Sequence, residues 1–85
     1  MIHGEYDMIF VSRDHTAIIN IGQGQSYELA REDSCITLYV HGLTCDDYTE
    51  NEMADYGNEV DAARVMDRAV ALISDKIDFI DFARL

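Results

Sequence analysis

Short apolar runs separated by polar turns fill the first part of the chain, a pattern typical of β-strands. Residues 8–12 (MIFVS) and 17–21 (AIINI) are rich in β-branched side chains and flank the polar tetrad RDHT. This arrangement predicts a β-hairpin. The glycines of GQGQ at 22–25 interrupt the pattern, and the alternation of Tyr27 and Leu29 with polar residues then predicts a third strand.

The strongest strand signal is CITLYV at 35–40, which follows the turn-forming tetrad REDS at 31–34. Side chains alternate between the two faces of a strand. We expect the four strands to form an antiparallel meander with one covered face. One face of the fourth strand carries Ile36, Leu38 and Val40, and the opposite face carries Cys35, Thr37 and Tyr39.

An amphipathic helix at residues 59–75 (EVDAARVMDRAVALISD) is expected to cover the sheet. Asn58 is placed to cap its first turn, where Glu59 and Asp61 suit the helix dipole. The apolar residues recur at intervals of three and four, as a buried helix face requires. They are Ala62, Val65, Met66, Ala69, Val70, Leu72, Ile73 and Ile77.

Two further segments leave alternatives open. MADY at 53–56 is a short candidate fifth strand, which leaves 42–52 as an acidic excursion. The apolar tail at 77–85 is either an edge strand or a continuation of the helix, and it closes this chain's core or packs on a second copy. The predicted fold is one small α+β domain, residues 1–85, with an antiparallel sheet of four to five strands packed against one amphipathic α-helix.

The charge of the chain restricts its partners. Seventeen acidic residues against six Lys and Arg give a formal net charge of −11 at pH 7. Direct binding to nucleic acid or to an anionic membrane is disfavoured, because phosphate binding depends on Lys and Arg. The charge suits a basic protein surface as partner, with an attraction that salt weakens. The alternative is that this net charge only keeps a small protein soluble.

The sequence also predicts the compartment. It has no apolar run of the ~20 residues that a membrane helix needs, and MIHGEYDMIF lacks the basic and apolar regions of a signal peptide. We therefore expect a cytoplasmic protein in which Cys35 and Cys45 are reduced.

No catalytic or metal-binding signature is recognisable. A calcium loop starting at Asp47 would need a glycine where Glu52 stands and a carboxylate where Asn58 stands. The three histidines are too far apart for a local zinc motif. An irregular divalent site among the loop acids is an alternative, but the expectation is no enzyme, no cofactor and no metal.

The segment ADYGNEVDAARVMDRAV resembles the C-terminal half of small proteins of Firmicutes and their phages. In those proteins a strand ending in Tyr is followed by a capping residue and then by Ala-x-x-Val-Leu or a close variant. Tyr56, Asn58 and Val65 occupy that pattern here, and IFVSRDHTAIINI is similar to the N-terminal hairpin of the family. The resemblance implies a β-meander followed by one amphipathic helix, and it implies no chemistry.

The stretch CDDYTENEMADYGNEVDA at 45–62 holds seven carboxylates and no basic residue. Carboxylates spread over a loop and a helix start can imitate successive phosphates and attract a basic groove. Tyrosines among them can serve as aromatic anchors. The candidate partner-binding residues are Asp46, Asp47, Tyr48, Glu50, Glu52, Asp55, Tyr56 and Glu59.

The predicted function is a non-enzymatic acidic protein-binding module. Its specific form is a phage or mobile-element inhibitor that imitates nucleic acid and blocks a host nucleic-acid-binding defence enzyme, as anti-CRISPR proteins do. One alternative is a structural or accessory protein that forms a homodimer through a sheet edge and the tail. Another is a small-ligand binder with an apolar pocket near Tyr27, Tyr39 and the cysteines.

Overall fold

A computed structural model describes residues 2–3, 8–22, 25–42 and 47–85 of the chain. Strands, one α-helix and a short 3-10 helix make up this part, so the predicted α+β class is confirmed. In chain order the elements are β1 (Ile2–His3), β2 (Met8–Val11), β3 (Ile18–Ile21), β4 (Ser26–Glu32), β5 (Cys35–His41), β6 (Tyr48–Asp55), α1 (Glu59–Ser74), β7 (Phe79–Asp81) and the 3-10 helix Phe82–Arg84.

The strands form two sheets instead of one continuous meander. The antiparallel four-stranded sheet has the order β1-β4-β5-β6, and the three-stranded sheet has the order β3-β2-β7. The predicted first hairpin is confirmed as β2 and β3, and β4 and β5 form a second hairpin. These hairpins lie in different sheets, so β3 and β4 are not neighbours. The change of sheet coincides with the glycine-containing segment that interrupts the hydrophobic pattern.

The acidic excursion expected at 42–52 is largely a strand in the described part of the chain. β6 covers Tyr48–Asp55, twice the length of the expected strand at 53–56. It pairs antiparallel with β5, and a β-bulge leaves Met53 without a direct partner between Glu52 and Ala54. Polar residues can form this strand because one of its faces and its outer edge do not contact the core.

The C-terminal tail is a strand followed by a 3-10 helix. β7 pairs with β2 in parallel and is an edge strand of the three-stranded sheet. Ile80 and Phe82 are fully buried, so the tail closes the core of its own chain. Ile77 and Phe79 remain exposed.

The predicted bounds of the helix are confirmed closely, but its buried face is narrower than predicted, because Val70 is 46% exposed and Ile77 lies beyond the helix. Asn58 caps it, with Oδ1 accepting a hydrogen bond of 2.8 Å from the Asp61 N–H. At the other end Lys76 adopts a left-handed φ of 62°. The N–H groups of Lys76 and Ile77 donate to the carbonyls of Ile73 and Leu72, which is the Schellman arrangement of a helix C-terminus.

One hydrophobic core holds the layers together. The helix packs on β4 and β5, and the inner face of the three-stranded sheet joins the same core. Neither helix of the described residues combines the length and hydrophobicity needed to cross a lipid bilayer. The largest fully buried side chains are Phe10, Phe82, Ile21, Ile36, Leu38, Met53, Ile80 and Val65.

Candidate protein-binding face

The face of the four-stranded sheet that points away from the core carries most of the carboxylates of that sheet. Ile36, Leu38 and Val40 of β5 are buried in the core, so the alternate residues of β5 point outward. The pairing registers place residues of β4 and β6 on either side of them. We call this surface the acidic face: Glu28 and Glu32 of β4, Cys35, Thr37, Tyr39 and His41 of β5, and Tyr48, Glu50, Glu52 and Asp55 of β6.

Two rows of carboxylates flank a central row without acids. Glu28 and Glu50 lie opposite Tyr39 on its two sides, and Glu32 and Asp55 flank Cys35 in the same way. By strand alternation, neither Lys nor Arg from the described strand residues contributes a side chain to this face. The face is therefore a concentrated patch of negative charge.

Tyr39 occupies the centre of the acidic face. Partial burial, together with the carboxylates of Glu32 and Glu50, raises the pKa of the phenol above its usual value of 10.0. The phenol stays neutral at physiological pH and can donate a hydrogen bond. An aromatic ring with a polar tip is a favourable anchor for a protein interface.

Tyr48 marks one end of the acidic face. Its side chain is 58% exposed. Its ring lies 5.9 Å from the imidazole of His41, the residue paired with it on β5. The two rings form a small exposed aromatic surface beside the carboxylate rows.

Cys35, Glu52 and Asp55 lie close together at the opposite end. One ligand atom of each lies within 4.8 Å of the others. Burial, the Glu52 carboxylate and Asp55 raise the pKa of the Cys35 thiol, which disfavours the thiolate that metal binding or nucleophilic attack needs. The three side chains are close enough to hold a metal ion, but a protonated thiol is a poor ligand and a poor nucleophile.

Asp55 also has a structural role. Its Oδ1 accepts hydrogen bonds from the Gly57 N–H at 3.0 Å and the Ser34 hydroxyl at 2.9 Å. These bonds lower the pKa of Asp55 below 3.8. The carboxylate thus fixes the turn between β6 and the helix while it adds charge to the face.

The structure brings together some of the candidate residues predicted from sequence. Glu50, Glu52 and Asp55 lie on the acidic face with Tyr48, and Asp47 is exposed just before β6. Asp46 lies outside the described residues.

Tyr56 and Glu59 are placed elsewhere. The Tyr56 ring packs against the core, its hydroxyl donates to the Phe82 carbonyl at 3.4 Å, and the Arg13 guanidinium lies 4.4 Å above its centroid. Glu59 begins the helix, which covers the inner face of the sheet. Tyr56 therefore lies at the boundary of the core and not on the acidic face.

Sequence reasoning missed Glu28, Glu32 and Tyr39 as members of one surface. The alternation in SYELARE places both glutamates on one face of β4 and Tyr27 and Leu29 on the other. The two-residue turn at Asp33 and Ser34 sets the register with β5. Strand alternation and the hairpin register could therefore have identified these three residues as one surface from the sequence.

Of the residues expected near a small-ligand pocket, Tyr27 and Tyr39 do not share a cavity, and Cys45 lies outside the described residues. Tyr27 lies in the core and Tyr39 on the acidic face, so the two tyrosines point to opposite sides of the sheet. A groove of about 410 Å³ lies instead between β6 and the loop that joins β2 and β3. It is lined by Arg13, Asp14, Glu52, Met53, Ala54 and Asp55.

Comparisons with protein-family models, curated proteins and solved structures found no match to this chain. The resemblance to small proteins of Firmicutes and their phages stays a prediction.

Proposed function

We propose that this chain is a non-enzymatic protein-binding module whose acidic face binds a basic surface of another protein. The observation that carries the proposal is the arrangement of Glu28, Glu32, Glu50, Glu52 and Asp55 in two rows around Tyr39. A field of one sign steers a partner of opposite charge, and a central aromatic ring supplies apolar contact area.

The negative charge of the acidic face supports a partner that also binds nucleic acid. Two of the five carboxylates lie on β4 and three on β6. A strand advances ~3.3 Å per residue, so carboxylates two residues apart within one row, such as Glu50 and Glu52, are separated by ~7 Å along the strand. One strand of duplex DNA carries one charge per ~3.4 Å of helix axis. Each row is therefore less densely charged than a DNA strand, and the negative field of the whole face, not a matched spacing, would attract a groove built for phosphates.

A specific form of the proposal is inhibition. A phage or mobile-element protein that occupies the nucleic-acid groove of a host defence enzyme would act as anti-CRISPR proteins do. The support for this form is the small size of the chain and the negative charge of the acidic face. Competition by nucleic acid separates it from binding to any other basic surface.

The experiment compares two variants with equal charge. In the face variant Glu28, Glu32, Glu50 and Glu52 are changed to Gln. In the matched control Glu59→Gln, Asp67→Asn, Asp75→Asn and Asp78→Asn remove the same charge from exposed positions outside the face. Both variants and the wild type are used as bait in lysate of the source cell at low and high salt, and the captured proteins are identified by mass spectrometry.

We expect the wild type and the control variant to retain the same basic protein, and the face variant to lose it. Elution by salt and by added duplex DNA or RNA is expected if that protein is held through its nucleic-acid groove. Equal capture by the face variant would show that these carboxylates are solvated surface and would overturn the proposal.

A second candidate function rests on another surface. The outer face of the three-stranded sheet carries Ile9, Ile18 and Phe79 beside Asn20 and Asp81, and Ile18 is 70% and Phe79 50% exposed. Contiguous apolar surface that is exposed on a small protein often marks a protein–protein interface. A homodimer through this face is therefore the alternative.

Sedimentation velocity over a range of concentrations tests the dimer. The double variant Ile18→Ser, Phe79→Ser should stay monomeric where the wild type associates, with little effect of salt. A wild type that remains monomeric at every concentration would contradict the dimer.

A further inference from the structure

The outer edge of β6 has a definable pattern of backbone groups. In an antiparallel pair, residues that exchange hydrogen bonds alternate with residues that do not. The Gly42 N–H donates to the Asp47 carbonyl at 2.7 Å, which makes this pair hydrogen-bonded. Thr49 and Asn51 therefore bond to β5, whereas Tyr48, Glu50 and Glu52 direct their N–H and C=O groups outward.

Arg13 occupies the far part of this edge. Its N–H donates to the carbonyl of Met53, the bulged residue, at 2.8 Å, and its guanidinium donates to the Asp55 carbonyl at 3.0 Å. At Tyr48 and Glu50, by contrast, no hydrogen bond from the described residues reaches the outward backbone groups. Within the described residues, the edge is thus closed at Met53 and Asp55 and unpaired from Tyr48 to Glu52.

A groove continues the open edge. It runs between β6 and the loop joining β2 and β3, and Glu52 belongs to both the edge and the groove. Three carboxylates, those of Asp14, Glu52 and Asp55, line it together with the one guanidinium of Arg13. An extended segment that pairs with the edge can therefore continue into a region of net negative charge.

We propose that the partner binds through an extended segment that adds as an antiparallel strand to the outer edge of β6 and carries Lys or Arg at alternate positions. In such a ladder the residue directly opposite Glu50 points to the same face as Glu50. Basic residues at alternate positions would then lie beside Glu50 and Glu52, while backbone hydrogen bonds hold the strand.

This inference rests on the proposed function, because it uses the same carboxylates, and it specifies how the partner binds. Charge complementarity selects a basic segment over a second copy of the chain. Pairing of β6 with β6 of a second copy would bring Glu50 and Glu52 close to carboxylates of the same charge, which is unfavourable.

The test uses three short peptides of one sequence that alternates Lys or Arg with Val. The first is unmodified. The second carries N-methyl groups on the basic residues, whose N–H groups would donate to β6. The third carries the same number of N-methyl groups on the valines, whose N–H groups would point away from β6. All three have the same charge, so they differ only in which backbone donors remain.

Binding is measured by isothermal titration, and hydrogen exchange of the Tyr48, Glu50 and Glu52 amides is followed by NMR. We expect the first and third peptides to bind and to slow exchange at these amides. The second should bind about tenfold more weakly or worse, because it loses several hydrogen bonds at once.

Equal binding by all three peptides would overturn strand addition and leave binding by the acidic face standing. Absence of binding by all three would overturn the inference as well, while capture of a folded basic protein would still support the proposed function. If protection of the same amides rises with protein concentration in the absence of peptide, the edge binds a second copy of the chain. That result would also overturn the inference.

Discussion

The ring of Phe10 meets the ring of Tyr27 edge-on, with centroids 5.1 Å apart and planes inclined at 65°. Phe10 belongs to β2 of the three-stranded sheet, and Tyr27 belongs to β4 of the four-stranded sheet. Both side chains are buried. This aromatic pair therefore joins the two sheets across the core.

The Tyr27 hydroxyl is a buried polar group within this core. No hydrogen-bond partner for it is found in the described part of the chain. Because an unpaired buried hydroxyl costs about 1–3 kcal/mol, Tyr27→Phe should leave stability unchanged or raise it by about 1 kcal/mol. Urea unfolding measures this, with Phe10→Leu as a comparison that should lower stability. A loss above about 1 kcal/mol in Tyr27→Phe would mean that the hydroxyl has a partner.

Arg13→Ala should destabilise the protein by about 1–2 kcal/mol, although the side chain is exposed. Its guanidinium lies over the Tyr56 ring and donates to the Asp55 carbonyl, so it ties the β2–β3 loop to β6. Arg64→Ala is the matched control, because that guanidinium only lies 3.6 Å from the Asp61 carboxylate on the helix surface. If both variants lose equally little free energy of unfolding, less than about 0.5 kcal/mol, this role of Arg13 is contradicted.

Lys76→Gly should raise stability by about 0.5–1 kcal/mol. Lys76 ends the helix at a φ of 62°, a conformation that is unfavourable for a residue with a Cβ atom and accessible to glycine. Thermal unfolding measures the gain. Lys76→Ala removes the same charge but keeps the Cβ atom, so a gain of equal size in that variant would assign the effect to charge.

Asp14 should make stability depend on pH in the acid range. The Thr16 hydroxyl, the Ser12 hydroxyl and the Thr16 N–H donate to its carboxylate and lower its pKa from 3.8 to about 2. A carboxylate with a lowered folded pKa stabilises the protein above its unfolded pKa, and this contribution is lost as the pH falls through the folded pKa. The stability difference between wild type and Asp14→Asn should therefore be largest above pH ~4 and shrink towards pH ~2.

Unfolding by urea at several pH values between these limits measures that difference. Asp67→Asn, on the exposed side of the helix, serves as the control for general charge repulsion. A wild-type advantage that persists unchanged at the lowest pH would contradict the role of Asp14.

Leu38→Ala should cost ~2–5 kcal/mol, because Leu38 is fully buried between the sheet and the rest of the core. Met66→Ala should cost clearly less, since Met66 only packs on the margin of that core. Denaturant unfolding of both variants measures the contrast. Similar losses would show that the helix presents a different face to the sheet.

The sequence predicted best the features that depend on neighbouring residues. The capped helix, the first hairpin and the burial of alternate β5 residues follow from local periodicity and from side-chain hydrogen bonding at Asn58. The division into two sheets did not follow, because the parallel pairing of Phe10 with Ile80 joins residues far apart in sequence. Such long-range pairing produces no periodic pattern of hydrophobic residues in either segment.

The candidate site was predicted only in part for a related reason. The candidate residues were grouped as acids and tyrosines of one loop and helix start, whereas uninterrupted strand alternation would place Tyr56 on the same face as Glu50 and Glu52. The bulge at Met53 shifts the alternation by one residue, so Asp55 points outward and Tyr56 points to the core. Glu28 and Glu32 join the face from another strand, which only the hairpin register reveals.

The parallel pairing of β2 with β7 also constrains how the protein folds as it is synthesised. β2 is made early, but its partner strand and the buried Phe82 emerge from the ribosome only after the helix. Until then Phe10 and Ile80 cannot meet, and the nascent chain keeps part of its future core open to water. Closing such a long loop is slow, so we expect chaperone dependence and refolding rates to be governed by the docking of β7.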